Sequence, residues 1–566
     1  MNDKVWKQRP GNIETAGMLA DKLAISNVLA QALVARGIDT EEAARDYLTP
    51  SFAKLIDPSC FADMDKAAHR IVDAIRRQDV IGVFGDYDVD GVCSATILQQ
   101  FLLSIGAKVC VTLPHRMTEG YGLSKPGVMR LKDQNASLII TVDCGISAHE
   151  AISFAYSQGL EVIVVDHHEV GETLPDAYAV VNPKRSDCNA KADYLCAAGV
   201  TFFLCLAVRR VLRSEGYFLE KEPDVRELLD LVALATVCDV VPLIHNNRIL
   251  VKAGLSMIKQ QKRLGLKALM DVCGIDPKKI TSTNLGFHLG PRINAAGRLE
   301  DAAFALRLLS TADEHYAHRI AMELHETNDM RKSLEQDMVM QAAAMVEGNP
   351  TLPAAKALVL YDEQWHPGVV GIVASRIAER FHRPAIIIGE KGKGSGRSIR
   401  GIDLHAMVNA ASSSLAGFGG HGHAIGLTLG PRGVEAFRAE LLVAIEQHVE
   451  PHVFIPEIFY DAEVSSKQVS LALIDELMKL DPFGAKNPHV VVRLNQAYMR
   501  NVRRLAGGHL KGELETSDGA VSFIGFRMDI DDALVGKALD ILAVPEKNEW
   551  QGIVSPQLRL VDFRTS

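Results

Sequence analysis

The sequence predicts a multidomain α/β protein with a parallel β-sheet near its start and a small β-barrel at its end. The chain has 566 residues, which corresponds to about three or four domains. Apolar strands alternate with helices between about residues 80 and 165, the pattern of a parallel sheet. From residue 454 onward the pattern changes to short, evenly spaced strands separated by turn residues, which favours a barrel of the OB type.

The composition is typical of a globular protein. Hydrophobic residues make up 48% of the chain, no apolar run reaches about 18 residues, and the polar N-terminus does not resemble a signal peptide. The nine cysteines contain no Cys-x-x-Cys pair, so we expect reduced thiols. We therefore expect a soluble, cytoplasmic monomer without membrane contact, and the net charge of −9 leaves room for a local basic groove.

The first part of the chain, residues 1–50, predicts a helical segment. It contains an amphipathic stretch from Leu19 to Ala35 and a helix start at Thr40, a favourable N-cap residue. No catalytic residue is evident there.

The sheet is predicted from four apolar segments, which are Val80–Phe84, Lys108–Leu113, Ser137–Val142 and Glu161–Val165. Helices between them, such as Val92–Ile105, imply parallel strands joined by right-handed crossovers. In such a sheet the carboxyl ends of the strands share one edge, where ligands bind.

Acidic residues and histidines follow three of these strands, namely Asp86, Asp88, Asp90, Asp143, Asp166, His167 and His168. Carboxylates at alternate positions of an extended segment point the same way. Their repulsion favours a bound divalent cation with hard oxygen ligands. An EF-hand loop is excluded because Ile97 occupies its twelfth position. For the first stretch alone, a solvated acidic turn remains an alternative.

Asp239 closes a predicted helix from Glu222 to Val241. A carboxylate at a helix C-terminus opposes the helix dipole and needs a compensating partner, which a metal ion supplies. An exposed acid in a proline-terminated turn is the alternative.

Glycine-rich stretches with cations suggest phosphate binding. Arg292 and Arg298 flank small residues, and the stretches 392–400 and 418–426 combine glycine with Arg397, Ser398 and His421. Backbone N–H groups and guanidinium groups there suit anionic oxygens, although flexible surface loops are the alternative. Between these regions, residues 313–347 predict one long helix that connects two domains.

Six motifs, in order, carry a resemblance to a known family. They are Gly-Asp-Tyr-Asp-Val-Asp-Gly, Val-Asp-Cys-Gly, Val-Asp-His-His, Cys-Asp-Val-Val-Pro, Gly-Pro-Arg-Ile-Asn-Ala-Ala-Gly-Arg and Gly-Gly-His. With them the chain resembles the DHH phosphoesterase superfamily and, within it, the RecJ family of single-strand-specific DNA exonucleases. The resemblance implies a parallel-sheet DHH phosphoesterase domain (51–300), a connecting helix (301–348), a smaller α/β DHH-associated substrate-binding domain (349–450) and a nucleic-acid-binding OB-fold barrel (451–566).

The resemblance also implies the roles of individual residues. Two Mn²⁺ or Mg²⁺ ions would be held by Asp88, Asp90, Asp143, His167 and Asp239, with Asp86 close by and least defined in role. His168 would contact the scissile phosphate, and Asp166 would orient the histidines. Substrate phosphates would be held across a cleft by Arg292, Asn294, Arg298, Ser395, Arg397, Ser398 and His421, and no role is assigned to His423.

The implied activity is hydrolysis of single-stranded DNA from its 5′ end to mononucleotides by two metal ions, in DNA recombination and repair. Carboxylate and imidazole ligands suit Mn²⁺ or Mg²⁺ better than structural zinc. A single-strand-binding protein and a helicase are expected partners. One alternative is a phosphoesterase that acts on pyrophosphate, short oligonucleotides or cyclic dinucleotides. A non-catalytic replication-fork scaffold is another, which the intact acidic motifs disfavour. The polarity rests on the resemblance alone.

Overall fold

The computed structural model describes residues 4–115, 119–219, 222–299, 301–349, 352–528, 530–531 and 534–566. The chain divides into two compact units. The smaller unit consists of Met1–Val5, Ala295–Asp301 and Met322–Ile458, and the larger unit of Trp6–Asn294, Ala302–Ala321 and Phe459–Ser566. Within the described ranges, no helix combines the length and apolar character needed to cross a bilayer.

The N-terminal segment forms β1 (Val5–Gln8), α1 (Ile13–Leu23), α2 (Asn27–Val34) and α3 (Glu41–Leu48). The amphipathic stretch from Leu19 to Ala35 is divided between α1 and α2, because Ala24 takes a left-handed conformation and Ser26 caps the second helix. Thr40 caps α3 as predicted, since its hydroxyl accepts a hydrogen bond from the amide of Ala43 at 3.2 Å.

The predicted parallel sheet is confirmed. Its region contains α4 (Met64–Arg76), β2 (Val80–Gly85), α5 (Val89–Ser104), β3 (Lys108–Thr112), α6 (Lys125–Asp133), β4 (Ala136–Val142), α7 (His149–Ser157), β5 (Glu161–Val165) and β6 (Ala179–Val181). The strand order is β3-β2-β4-β5-β6, and every pairing is parallel. Strands β2, β4 and β5 are buried along nearly their whole length, as expected for a sheet covered by helices on both faces, whereas the edge strand β3 is more exposed. The short strand β6 was not predicted.

A helical region follows, with α8 (Ala197–Ser214), α9 (Leu229–Cys238), α10 (His245–Ile258), α11 (Leu264–Val272), α12 (Ser282–Asn284), α13 (Gly290–Leu299), α14 (Ala303–Ser310) and α15 (Glu314–Glu347). The helix predicted from Glu222 instead begins as a 3-10 turn, Val225–Leu228, before α9. Asp239 is the C-cap of α9, consistent with its predicted place. The long helix is confirmed, and α15 has 34 residues.

The smaller unit contains β7 (Leu358–Tyr361), α16 (Val370–Phe381), β8 (Ala385–Ile388), β9 (Lys393–Arg397), α17 (Leu404–Ala410), β10 (Leu415–His421), β11 (Ala424–Leu429) and α18 (Gly433–His448). Its sheet has the order β10-β11-β9-β8-β7. The glycine-rich stretches are therefore largely strands, and the alternative of flexible loops is wrong for them. Packing explains the glycines, because a Cβ atom on Gly396 would lie 2.7 Å from the side chain of Ile425 and one on Gly394 2.8 Å from that of Ile388.

The C-terminal region contains β12 (Glu457–Tyr460), β13 (Ala462–Glu463), α19 (Leu471–Leu477), β14 (Val492–Leu505), β15 (His509–Thr516), β16 (Gly519–Gly525), β17 (Ala538–Trp550) and β18 (Ile553–Thr565). Strands β14-β15-β16-β18-β17 close into a barrel through the pairing of β14 with β17. This confirms the predicted OB-type barrel. Strand β14 has an irregularity at Gln496, a residue with φ of 51° where the pairing register with β17 shifts.

The barrel shares one hydrophobic core with the N-terminal helices. Leu29 and Leu33 of α2 belong to the same buried cluster as Val492 and Leu473. The guanidinium group of Arg36 donates to the carbonyl oxygen of Pro488 at 2.6 Å. The same guanidinium group also contacts the side chains of Asn487 and Asp461. The beginning and the end of the chain are therefore one packed body.

Candidate active site

The ends of strands β2, β4 and β5, together with the end of α9, bring the predicted metal residues together. Three overlapping groups of potential ligand atoms form among the described residues, and within each group these atoms lie within 4.8 Å of one another. The groups are Asp86 with Asp88 and Asp143, Asp90 with His167 and Asp239, and Asp143 with His167 and His168.

Asp88 begins the helix that carries Asp90. Its carboxylate accepts hydrogen bonds from the amides of Asp90 at 2.9 Å and Gly91 at 3.1 Å, which makes Asp88 the N-cap of α5. Helix α5 therefore begins at Val89 and not at Val92 as predicted. Asp90 lies in its first turn, so the argument from alternating positions in extended backbone is wrong for this residue. The physical reason is the N-cap, because a side-chain carboxylate satisfies amides at the helix start.

Asp90 is almost completely buried and joins two helices. Its carboxylate oxygens accept hydrogen bonds from the amides of Ala197 at 2.7 Å and Ala198 at 2.8 Å, the first two residues of α8. The positive end of a helix dipole favours a carboxylate at this place. Burial and the neighbouring charge of Asp88 nevertheless raise the pKa of Asp90 to about 7.

Asp143 follows β4 in a left-handed backbone conformation, with φ of 63°. Its Oδ1 atom lies 3.3 Å from Nε2 of His167. Burial, followed by the charges of Asp90 and Asp88, raises the pKa of Asp143 well above its usual range. A non-glycine residue in this backbone region is uncommon and is often associated with function.

His167 lies at the centre of the carboxylates. Its Nε2 atom is 3.6 Å from Asp90 Oδ2 and 3.7 Å from Asp239 Oδ2. Burial, assisted by the charge of His168, lowers the pKa of His167 to about 3. The ring is therefore neutral at physiological pH, which is the form that binds metal ions.

Asp166 is fully buried and holds the two histidines in place. Its Oδ1 atom accepts a hydrogen bond from the amide of His167 at 2.7 Å and lies 2.7 Å from Nδ1 of His168. Its Oδ2 atom accepts from the amide of Ile146 at 3.0 Å. Burial opposes ionisation, but these bonds and the histidine charges outweigh it and lower the pKa of Asp166. These contacts are compatible with the orienting role that the family resemblance implies for Asp166, which stays a prediction.

Asp239 carries its carboxylate at the C-terminus of α9, where the dipole disfavours negative charge. Burial and then the charges of Asp90 and Asp88 raise its pKa well above the usual range, while the charge of Lys184 lowers it.

Three residues around this site were not predicted. The hydroxyl of Tyr121 lies 3.0 Å from Nδ1 of His168 and donates to the carbonyl oxygen of Asp143 at 3.1 Å. Asn182 donates to the carbonyl oxygen of His168 at 3.0 Å. Lys184 acts electrostatically on both Asp239 and His167. Asn182 and Lys184 follow the unpredicted strand β6, so the rule of polar residues after parallel strands would have found them.

The predicted substrate residues fall in both units. In the larger unit, Asn294 accepts a hydrogen bond from the amide of Val89 at 3.2 Å, which places it at the start of α5. Arg292 is buried and donates to the carbonyl oxygen of His288 at 2.7 Å. In the smaller unit, Arg298 donates to the carbonyl oxygen of Gly368 at 3.0 Å.

The remaining four predicted residues lie near one end of the smaller unit's sheet. Arg397 of β9 and His421 of β10 are both register partners of Ala424 in the strand between them. Arg397 donates to the hydroxyl of Ser395 at 3.0 Å. Ser398 donates to the carbonyl oxygen of Ile402 at 2.8 Å.

Family models match three parts of the chain. They are the DHH family N-terminal domain over residues 80–236, the DHHA1 domain over 354–447 and the RecJ OB domain over 460–562. The single-stranded-DNA-specific exonuclease RecJ of Bacillus subtilis (strain 168) is 36% identical over 571 residues, which cover 99% of this chain and 71% of that protein. The same-named protein of Escherichia coli (strain K12) is 36% identical over 553 residues, covering 94% of each chain.

The chain belongs to the RecJ family.

Solved RecJ structures agree with this membership. The crystal structure of RecJ from Thermus thermophilus in complex with Mn²⁺ superimposes with a TM-score of 0.85 at 31% identity, covering 99% of this chain and 79% of that one. Its complex with Mg²⁺ gives a TM-score of 0.79 at 29% identity, covering 99% and 78%.

The ligand chemistry of this RecJ-family site fits the metals of those structures. Asp90, Asp143 and Asp239 all have raised pKa values because they are buried together. A cation would relieve their repulsion. Several carboxylates with a neutral imidazole form a donor set that suits Mn²⁺ or Mg²⁺.

Proposed function

We propose that this chain is a metal-dependent exonuclease that hydrolyses single-stranded DNA. The observation that carries the proposal is the convergence of six predicted ligands, Asp86, Asp88, Asp90, Asp143, His167 and Asp239, into overlapping groups at one sheet edge. The names of relatives that are 36% identical over nearly the whole chain support the substrate.

Two of the ligand groups define two metal positions in the proposal. Asp86, Asp88 and Asp143 form one, and Asp90, His167 and Asp239 form the other. Asp143 also lies 3.3 Å from His167, which links the two groups. Mn²⁺ or Mg²⁺ ions supply the activation of a water molecule and the stabilisation of phosphate charge that phosphodiester hydrolysis needs.

Asp166 and His168 act on the substrate side in this proposal. The buried carboxylate of Asp166 fixes the ring of His168 at 2.7 Å, and the hydroxyl of Tyr121 lies 3.0 Å from the same nitrogen. His168 is the more exposed of the two histidines, with 44% of its side-chain surface accessible against 10% for His167. We assign it contact with the scissile phosphate.

Arginine, asparagine, serine and histidine side chains would hold the other phosphates. They are Arg292, Asn294, Arg298, Ser395, Arg397, Ser398 and His421. Support comes from the placement of Arg397 and His421 on either side of Ala424. Guanidinium groups bind phosphate in a bidentate manner.

The barrel is proposed to bind the DNA strand. On its surface Arg503 of β14 lies directly opposite Lys511 of β15. Like charges at opposed positions destabilise a sheet, so an anionic ligand is favoured there. In contrast, Arg493 forms an ion pair with Asp540 at 2.8 Å. We expect Arg503→Gln to weaken binding of single-stranded DNA several-fold and to reduce the salt dependence of binding. The control Arg493→Gln should leave the affinity and its salt dependence unchanged.

Deletion of the barrel would be a poor test of this role. The barrel and α2 share one core, so removal of residues after Glu450 would expose the apolar face of the N-terminal helices. Point substitutions on the barrel surface avoid this problem.

The finer properties belong to the same proposal. They are the domain limits 1–50, 51–300, 301–348, 349–450 and 451–566, 5′-to-3′ polarity, release of mononucleotides and a role in recombination and repair. They also include a monomeric state, a cytoplasmic location, and a single-strand-binding protein and a helicase as partners. The three family-model matches, which fall inside the proposed second, fourth and fifth domains, support the limits.

The polarity is tested with single strands blocked at one end. We expect strands with a free 5′ end to be digested and 5′-blocked strands to resist. Faster digestion of 5′-blocked than of 3′-blocked strands would contradict the polarity. Cleavage of cyclic dinucleotides without cleavage of long single strands would contradict the substrate.

A further inference from the structure

A cavity of about 460 Å³ lies in the larger unit beside Asp239. Its lining comes from three segments, residues 237–243, 282–287 and 483–489. Cys238 and Val240, the chain neighbours of Asp239, both belong to the lining. The cavity therefore lies next to Asp239 in the chain, although Asp239 itself is not part of its lining.

The lining is largely apolar and includes aromatic rings. Phe287 and Val240 are 74% and 71% exposed, so two large apolar side chains of the same lining are open to solvent. Phe483 is buried, and its ring packs against that of His489, with 4.2 Å between the ring centroids and 31° between the ring planes. An exposed phenylalanine thus lies at a pocket that also contains a pair of aromatic rings in contact.

The pocket is already formed and its segments are tied together. The amide of Leu243 donates to the carbonyl oxygen of Ala485 at 2.9 Å. The hydroxyl of Ser282 donates to the carbonyl oxygen of Phe483 at 2.6 Å. A Cβ atom on Gly484 would lie 2.7 Å from Leu243, so glycine permits this close approach. Val240 has φ of 59°, a strained conformation for a β-branched residue and one that is typical of functional sites.

We propose that this pocket binds one unpaired base of the DNA substrate, with Phe287 as its stacking platform. The inference rests on the proposed function and adds a base-binding site to it. Bases stack on aromatic side chains without sequence preference, and the cavity volume is in the range of ligand pockets. In this proposal a strand whose phosphate lies at Asp239 places a neighbouring base in the pocket, whose lining includes both chain neighbours of that residue.

The pocket contributes to the preference for single strands. A base in a duplex is paired and stacked, and it must leave the helix before it can enter a pocket of this kind. An unpaired base enters without that cost. An apolar side chain of a protein partner is the competing occupant.

The test uses the full-length protein with Phe287→Ala, and Phe52→Ala as the control because Phe52 is another exposed phenylalanine, outside the pocket. Fluorescence anisotropy in chelator measures binding of labelled oligonucleotides that carry one abasic residue at successive positions. We expect Phe287→Ala to weaken binding of the intact strand about 5- to 100-fold. When the abasic residue replaces the base that occupies the pocket, the wild type should lose affinity by a similar factor. The Phe287→Ala variant should lose no further affinity at that position. Phe287→Trp should restore binding, and Phe52→Ala should match the wild type.

Equal binding by the wild type and Phe287→Ala would overturn the proposal. The proposal would also be overturned if Phe287→Ala lost as much further affinity as the wild type at every abasic position. That result would favour a protein partner or a structural role for Phe287. These measurements need no catalysis. If the wild type failed to hydrolyse DNA with Mn²⁺ but showed the expected binding pattern, the base site would stand and the nuclease assignment would fall.

Discussion

The carboxylate of Asp90 accepts a hydrogen bond from the backbone amide of Ala197 at 2.7 Å, although the two residues are 107 positions apart. The same carboxylate lies 3.6 Å from Nε2 of His167. Asp90 therefore serves both as a candidate metal ligand and as the residue that satisfies the first amides of α8. One side chain ties the metal site to the packing of two helices.

This double role predicts different effects for two substitutions of Asp90. Asp90→Ala removes the ligand and leaves the buried amides of Ala197 and Ala198 without their acceptor, whereas Asp90→Asn retains an oxygen acceptor. We expect both variants to lose activity. In chelator, Asp90→Ala should be less stable than Asp90→Asn by about 1–2 kcal/mol, the usual value of a helix cap. Urea denaturation measures the difference, and equal stability would contradict the capping role.

Metal binding should depend on pH through the buried carboxylates of the site, and Asp90 gives the expected pH range. Its folded-state pKa of about 7 exceeds the unfolded value of about 3.9, so the metal-free folded protein holds the extra proton between these values. The metal-free protein should therefore lose stability as the pH rises through 7. Mn²⁺ must displace this proton, so it should raise the melting temperature more at pH 8 than at pH 6. Thermal denaturation with and without Mn²⁺ checks this. A larger Mn²⁺-induced melting shift at pH 6 than at pH 8 would refute this prediction. Asp90→Asn serves as the control because its side chain cannot take up this proton.

Lys184 should affect substrate binding more than metal binding. It lies at the edge of the site, 2.8 Å from the exposed Glu169, and its charge reaches Asp239. We expect Lys184→Gln to raise KM for single-stranded DNA about 10-fold, because a cation near the phosphate is lost. The Mn²⁺-dependent melting shift should not weaken. Lys262→Gln is the control, since Lys262 forms a comparable ion pair with Glu227 at 2.9 Å. An unchanged KM for Lys184→Gln would exclude this role.

Asp166 should act as a positioning residue for His168. Asp166→Asn removes the charge that fixes the ring of His168, and such orienting groups typically contribute about 10- to 100-fold. We expect kcat to fall by that factor with KM nearly unchanged. Steady-state kinetics separates the two constants, and the Mn²⁺-induced melting shift is the control for the metal site. A rise in KM alone would show that Asp166 serves substrate binding instead.

Local patterns in the sequence predicted most of the fold and much of the site. The four longer strands of the parallel sheet are apolar runs, and the rule that polar residues gather after parallel strands located Asp86, Asp143 and His167. The predicted ligands do lie together. These features depend on residues that are close together in the sequence, so local sequence patterns were sufficient to predict them.

Other features depend on distant contacts and could not be predicted in this way. The bond from Asp90 to α8 and the shared core of α2 and the barrel join residues that lack any local signal. Strand β6 has only three residues, so Lys184 went unnoticed. The glycine stretches suggested loops, whereas Gly394 and Gly396 are needed where strands and side chains pack closely.

The most direct test of the account is digestion of end-labelled single-stranded and duplex DNA by the wild type and Asp239→Asn, with Mn²⁺, Mg²⁺ or chelator. Asp239 is suited to this test because it is the C-cap of α9, and loss of its charge there should not harm the fold. We expect the wild type to degrade single strands, and not duplex, only when metal is present, and Asp239→Asn to be at least about 100-fold slower. Undiminished activity in chelator or in Asp239→Asn would contradict it.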